Sequence, residues 1–184
     1  MDKENLQGIL ESSYLPQAEA SAKLSNLNYT YDPELSTMES KVFVDKTTGK
    51  PNIAYRGSTR VSDFLYEDPA LFFGYKTQKQ KKAEELAKKV ESKYGQSANA
   101  YGHSLGGYRA EQSGVSGNVY TYNKGAGIKD IGKKIPSSQT DIRKSGDIVS
   151  LLSLSQRGGK KETVKPKIKS TNIISQLYQS HKFT

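Results

Sequence analysis

The chain has no cysteine and no tryptophan, and only two histidines and two methionines, among 184 residues. Without cysteine there can be no disulfide, no cysteine nucleophile, no thiolate metal site and no iron–sulfur cluster. Two histidines argue against a histidine-rich metal centre. Long apolar runs are also missing. The longest are about four residues, as in Ala70-Leu71-Phe72-Phe73, where ~20 are needed to span a bilayer. No apolar stretch follows Met1-Asp2-Lys3-Glu4-Asn5, so no signal peptide is expected. On that reading the chain works in the cytoplasm or is carried in a particle such as a virion.

What is present suffices for a core. Hydrophobic residues make up 34% of the chain, with 12 Tyr and 5 Phe among them. The length suits one domain. The chain carries 28 basic and 19 acidic side chains, a balance of +9. The charge is unevenly spread. Residues 1–50 hold 5 basic and 8 acidic residues, a balance of −3, whereas residues 129–184 hold 12 basic and 4 acidic, a balance of +8. A basic half suits an anionic membrane surface, a nucleic acid or another protein, or is simply a solvated face. No nucleic-acid motif accompanies it, so nucleic acid is not an expected partner. Nothing fixes an oligomeric state.

Periodicity gives the elements. Leu6, Ile9, Leu10 and Leu15 fall at roughly helical spacing, interrupted by Gly8 and Pro16. Lys41–Asp45, a Thr47–Lys50 turn and Asn52–Arg56 read as a β-hairpin. A helical piece is expected around Ser62–Tyr66. Thr77 caps a helix to about Tyr94, with Ala83, Leu86, Ala87, Val90 and Tyr94 as its apolar stripe and Gly95 as its stop. A short strand over Ser97–Tyr101 leads through a sharp turn into a helix over Leu105–Gln112. Val119–Tyr122 is a strand, Thr140–Arg143 a weak one, and residues 156–169 a hairpin or mobile loop. Ile173, Ile174, Leu177 and Tyr178 suggest a last helix. Strands alternating with helices imply an α/β layer around a central, mostly parallel sheet. Residues 1–40 are expected to pack as a helical or irregular segment on a domain spanning 41–184.

Gly102-His103-Ser104-Leu105-Gly106 fits the pattern G-x-S-x-G between a predicted strand and a predicted helix. That is the setting of a nucleophile elbow. The serine occupies a strained turn, and the flanking glycines remove side chains that would strike neighbouring backbone. Ser104 is then presented beside a helix N-terminus, where the Leu105 N–H can hold an oxyanion. The competing reading is a glycine-rich structural turn.

These residues, Gly102 to Gly107, resemble the elbow of the class 3 (fungal-type) lipases of the α/β-hydrolase fold. Four further segments resemble that family in the same order. They are Ala54-Tyr55-Arg56-Gly57-Ser58, then Ser62-Asp63-Phe64 with Asp68, then Thr121 to Gly127, then Ser145-Gly146-Asp147-Ile148-Val149. The likeness covers about residues 41–181. The spacings from Ser104 to Asp147 and from Asp147 to His181 are shorter than in the family. The resemblance implies a compact α/β-hydrolase, and a lipid ester as substrate in the manner of a lipase or phospholipase A1. It implies Ser58 as the second oxyanion donor. It also implies that residues 59–76, with Phe64, Leu65, Leu71, Phe72 and Phe73, form a lid or acyl groove; ordinary packing of these residues on the sheet is the alternative.

A serine nucleophile needs a base. His103 sits beside Ser104 in the turn and points elsewhere, which leaves His181. In the order Ser…acid…His, Asp147 is the chosen acid because it follows a strand at the sheet edge, with Asp141 as runner-up. Arg56 is read as a structural brace that pairs with a carboxylate. The expectation is a serine ester hydrolase with Ser104, His181 and Asp147, a reading that implies no metal and no cofactor. The alternative is a non-catalytic protein that keeps the fold and uses its basic surface for binding.

Overall fold

A computed structural model describes residues 2–58, 77–147, 150 and 152–165. Seven strands form one sheet whose spatial order follows the chain: β1 (Tyr29–Asp32), β2 (Ser40–Asp45), β3 (Pro51–Tyr55), β4 (Asn99–His103), β5 (Val119–Tyr122), β6 (Lys134–Lys144) and β7 (Arg157–Val164). β1, β2 and β3 pair antiparallel, and every pairing from β3 to β7 is parallel. The expected mostly parallel α/β sheet is present.

Alternation along the strands divides the core between two faces. On one face Val42, Ile53, Tyr55, Ala100 and Val119 pack with Ala83, Ala87 and Val90 of α3 (Gln78–Tyr94) and Ala110 of α4 (Leu105–Gln112). On the other, Phe43, Ala54, Tyr101 and Ile142 pack with Leu6, Ile9 and Leu10 of α1 (Lys3–Ser12) and Leu24 of α2 (Gln17–Asn26). Gly8 does not interrupt α1. Its bare Cα admits Leu27, whose Cδ1 would lie 2.6 Å from a Cβ placed there.

Local chemistry sets the ends of α3. The Thr77 hydroxyl accepts from the Gln80 N–H while the Gln80 side chain accepts from the Thr77 N–H, a reciprocal capping box. Gly95 closes the helix at φ 62°. The hairpin between β2 and β3 forms as expected, with the Asp45 carboxylate accepting from the Thr47 and Thr48 N–H groups. No described helix is long and apolar enough to cross a membrane.

β1 is a strand that the sequence reading did not contain, within the 1–40 segment read as helical or irregular; it pairs with β2 at the sheet edge. Two further stretches differ from that reading. The weak strand over 140–143 is the end of an eleven-residue β6. The segment read as a hairpin or loop over 156–169 contains β7, which runs parallel to β6 with Asp141 opposite Lys161. Both stretches are mostly polar and β7 is largely exposed, so the apolar alternation that marks a half-buried strand is absent. The expected helices around 62–66 and 173–178 lie outside the described residues.

Candidate active site

The register puts the carboxyl ends of the central strands on one edge. Tyr55 lies opposite Gly102, His103 opposite Tyr122, and Tyr122 opposite Ile142. The residues that leave these strands therefore emerge side by side: Ser58 after β3, Ser104 after β4, Asn123 after β5 and Asp147 after β6. This is the edge at which open α/β sheets bind ligands.

Ser104 caps α4 with φ 55° and ψ −125°, a backbone geometry that non-glycine residues rarely adopt. The surroundings hold it there. Its N–H donates to the Tyr122 carbonyl at 3.0 Å. Its own carbonyl accepts from Gly107 at 3.0 Å and from Gly125 at 3.2 Å. The glycines are required by close approach. A Cβ on Gly102 would lie 2.1 Å from the Gly106 carbonyl oxygen, and one on Gly106 would lie 2.2 Å from the Tyr55 carbonyl oxygen. Backbone cannot yield at such distances, so α4 sits directly on the β3 exit. Contact at Gly106 seats the segment running to Ser58 against the first turn of α4. The Leu105 and Gly106 N–H groups of that turn come before the first hydrogen bond within the helix.

His103 is buried beside the serine, and its Nδ1 lies 2.9 Å from the Tyr14 hydroxyl. That hydroxyl also accepts from the Gly57 N–H at 3.2 Å. Burial pushes the Tyr14 phenol up to about 12, so at neutral pH it keeps its proton. Tyr14, in the turn after α1, thus ties the N-terminal segment to both the elbow and the β3 exit. Arg56 stacks over the Tyr14 ring, 5.8 Å from its centroid. The described ion pair that braces this exit comes from Arg109, whose Nη1 donates to Glu39 at 2.7 Å and to the Arg56 carbonyl at 2.9 Å.

The two acid candidates occupy different environments. Asp147 is buried three residues beyond β6, and its Oδ2 accepts from the Ser150 N–H at 2.9 Å. Burial, with the Asp147 charge nearby, pushes the Tyr122 phenol up to about 12. Asp147 is thus a neighbour of the residue whose carbonyl holds the Ser104 N–H. Asp141 lies within β6 and accepts from Thr121 at 2.7 Å, Lys124 at 2.7 Å and Gln139 at 2.8 Å. It belongs to a buried polar cluster in which Lys124 also donates to Glu111 at 2.5 Å and to Gln156 at 2.8 Å. Lys133 adds a second cation on Glu111 at 2.8 Å. Lys124 directly precedes Gly125, so the cluster anchors the loop whose N–H holds the Ser104 carbonyl.

His181 and the candidate lid residues Phe64, Leu65, Leu71, Phe72 and Phe73 lie outside the described residues. Tyr14, Arg109 and the Lys124 cluster were missed by sequence reasoning, since each acts across a long stretch of chain and matches no local pattern. Among the described residues no group of His, Asp and Glu is arranged to hold a metal ion. A cavity of about 470 Å³, whose walls include Leu35, Tyr55, Ala83, Leu86 and Arg109, opens between α3 and the start of β2, away from Ser104.

No family model matches the chain, and no curated protein matches its sequence. Solved structures do match. A native Rhizomucor miehei lipase propeptide complex superposes with a TM-score of 0.56 at 12% identity, over 88% of this chain and 67% of that one. A deletion mutant of that complex gives 0.53 at 14% identity, over 89% and 66%. Lip2 lipase from Yarrowia lipolytica aligns at 0.43 with 16% identity over 73% and 66%, too low a score to carry an argument. The chain spans about two thirds of the length of the chains it matches. Identities this low speak for architecture alone, and the architecture is the α/β-hydrolase fold.

Proposed function

We propose that this chain is a serine hydrolase of lipid acyl esters, of lipase or phospholipase A1 type. The observation that carries the reading is Ser104, strained at φ 55° and ψ −125° at the head of α4, on the carboxyl edge of the sheet. Strain of this kind costs about 1–3 kcal/mol and persists where function needs it. In this reading the Ser104 Oγ attacks the acyl carbonyl and passes its proton to His181. The Leu105 N–H and Ser58 hold the oxyanion. His181 returns the proton to the departing alkoxide, and water then cleaves the acyl-enzyme with the same base. Asp147 orients the imidazole and stabilises its charged form. Phe64, Leu65, Leu71, Phe72 and Phe73 belong to the proposed acyl groove. The lipase structures of the same fold support the reaction class, and the order Ser104, Asp147, His181 supports the assignment.

The test is hydrolysis of p-nitrophenyl esters of increasing chain length, and of phospholipids, by the wild type and single variants. Ser104→Ala should abolish turnover without unfolding the chain. Asp147→Asn should lose about three to four orders of magnitude, because the imidazole loses its orientation. Removal of residues 181–184 should inactivate the chain and leave it folded. A wild-type rate equal to that of Ser104→Ala would leave a binding protein on a hydrolase scaffold. If Asp141→Asn removes turnover from an otherwise folded chain and Asp147→Asn does not, the acid is misassigned.

A further inference from the structure

Four large apolar side chains stand out into solvent among the described residues: Met38 (59%), Ile131 (54%), Leu154 (47%) and Ile128 (46%). Three of the four share one flank of the molecule. Ile128 opens the 3₁₀ turn Ile128–Asp130, which touches a second 3₁₀ turn, Leu152–Ser155, carrying Leu154. Ile131 follows the first turn, its N–H donating to the Ile128 carbonyl at 3.2 Å. The chain then enters β6 at Lys134, opposite Arg157 of β7, and the Arg157 N–H donates to the Lys133 carbonyl at 2.8 Å.

The scaffold beneath them is tied down, so their exposure is a feature of the folded chain. The Asp130 carboxylate accepts from the Gly127 N–H at 2.8 Å, Lys133 reaches the buried Glu111 at 2.8 Å, and the Lys161 ammonium donates to the Leu154 carbonyl at 3.3 Å. Two isoleucines and a leucine held outward on touching turns mark this flank as a contact surface.

Charge says what kind. Asp130, Asp141 and Asp147 are buried, which leaves Glu162 as the one exposed carboxylate among the described residues from 128 to 165. Against it stand six exposed cations: Lys129, Lys134, Arg157, Lys160, Lys161 and Lys165. Because strand order in space equals strand order in sequence, the basic stretch 157–165 supplies β7 at one edge of the sheet. Its excess of exposed cations turns the β7 side toward a negatively charged surface.

We infer that the β6–β7 flank is a docking surface for an anionic lipid bilayer: Ile128, Ile131 and Leu154 enter the boundary between headgroups and acyl chains, and Lys129, Lys134 and Arg157 meet the lipid phosphates. Apolar side chains ringed by cations are what an interfacial contact uses, since burial and attraction to anionic lipid add together. A nucleic acid fits less well. A duplex would meet the cations but leave Ile128, Ile131 and Leu154 uncovered, and neither Ile128–Lys134 nor Leu152–Arg157 contains an aromatic residue on which unpaired bases could stack. The inference is independent of the chemistry proposed for Ser104.

Flotation of the full chain with vesicles tests it, using phosphatidylcholine alone and phosphatidylcholine with about a third phosphatidylglycerol. The wild type should partition onto the mixed vesicles and not onto the neutral ones. Binding should fall at least ~10-fold when salt rises from about 0.1 M to about 1 M and the screening length shrinks from about 10 Å to about 3 Å. The triple variants Ile128→Ser/Ile131→Ser/Leu154→Ser and Lys129→Glu/Lys134→Glu/Arg157→Glu should each lose about tenfold or more of the partitioning. Both should melt with the wild type, and Met38→Ser should bind unchanged. Three outcomes would overturn the inference. One is no wild-type binding to mixed vesicles at low salt. Another is an apolar triple variant that binds like the wild type. The third is tight binding to duplex DNA that the charge variant loses and the apolar variant keeps, which would make the flank a nucleic-acid surface.

Discussion

Ser104 is where sequence and backbone physics meet most directly. A G-x-S-x-G pattern predicts a turn that only small neighbours permit. The structure supplies the reason, since a Cβ on Gly102 or Gly106 would lie within 2.2 Å of backbone atoms. The same geometry makes a stability prediction. Ser104→Gly releases the strain of the positive φ, whereas Ser104→Ala retains it. Glycine's greater freedom in the unfolded chain offsets part of the gain. The glycine variant should therefore be more stable than the alanine variant by about 1 kcal/mol, read by denaturant unfolding. Equal stabilities would mean that the turn is not strained. Other residues of the site carry no such signature. Tyr14 reaches His103 across 89 positions of sequence and Arg109 reaches the Arg56 carbonyl across 53. No pattern in a single chain announces contacts of that range.

Elements defined by local chemistry were legible before the fold was known. The Thr77 cap, the apolar stripe of α3, the Gly95 stop, the β2–β3 hairpin and α4 each follow from neighbouring residues. The elements that escaped are those whose existence depends on a partner. β7 has the sequence Arg-Gly-Gly-Lys-Lys-Glu-Thr-Val, with no apolar face, and it is a strand because β6 pairs with it. Its lysines also discourage pairing with a second chain. On the α4 side of β6 the core turns from apolar to ionic, and that change is testable by pH. Burial pushes the Glu111 pKa up, but Lys124 and Lys133, with the Gln139 hydrogen bond, more than reverse this and bring it down to about 2 from an ordinary 4.5. The folded value is lower than the unfolded one, so Glu111 contributes its full stability above about pH 4.5. That contribution fades as pH falls toward about 2, and is worth up to about 3 kcal/mol. The stability gap between the wild type and Glu111→Gln should therefore narrow across this window. A gap that stays constant from pH 5 to pH 2 would show that the carboxylate is not held ionised by its lysines.

At the scale of the molecule, strand order converts a property of the sequence into one of shape. The excess of acid before residue 50 and of base after residue 129 was visible from composition, but its meaning depended on topology. With the strands in chain order, the exposed cations of β7 lie at one edge of the sheet and β1 lies at the other. The carboxyl ends of β3, β4, β5 and β6 lie together on a third side, where Ser58, Ser104, Asn123 and Asp147 emerge. The inferred membrane contact and the proposed chemistry thus occupy separate parts of one fold. The proposed chemistry rests on Ser104 being an activated nucleophile, and one measurement addresses this most directly. The intact chain is treated with a fluorophosphonate probe, and the modified peptide is identified by mass spectrometry, beside Ser104→Ala and a chain lacking residues 181–184. The account predicts one phosphonylated residue, Ser104, with labelling lost in both variants. A folded wild-type chain that stays unlabelled, or that is labelled at a serine other than Ser104, would contradict it.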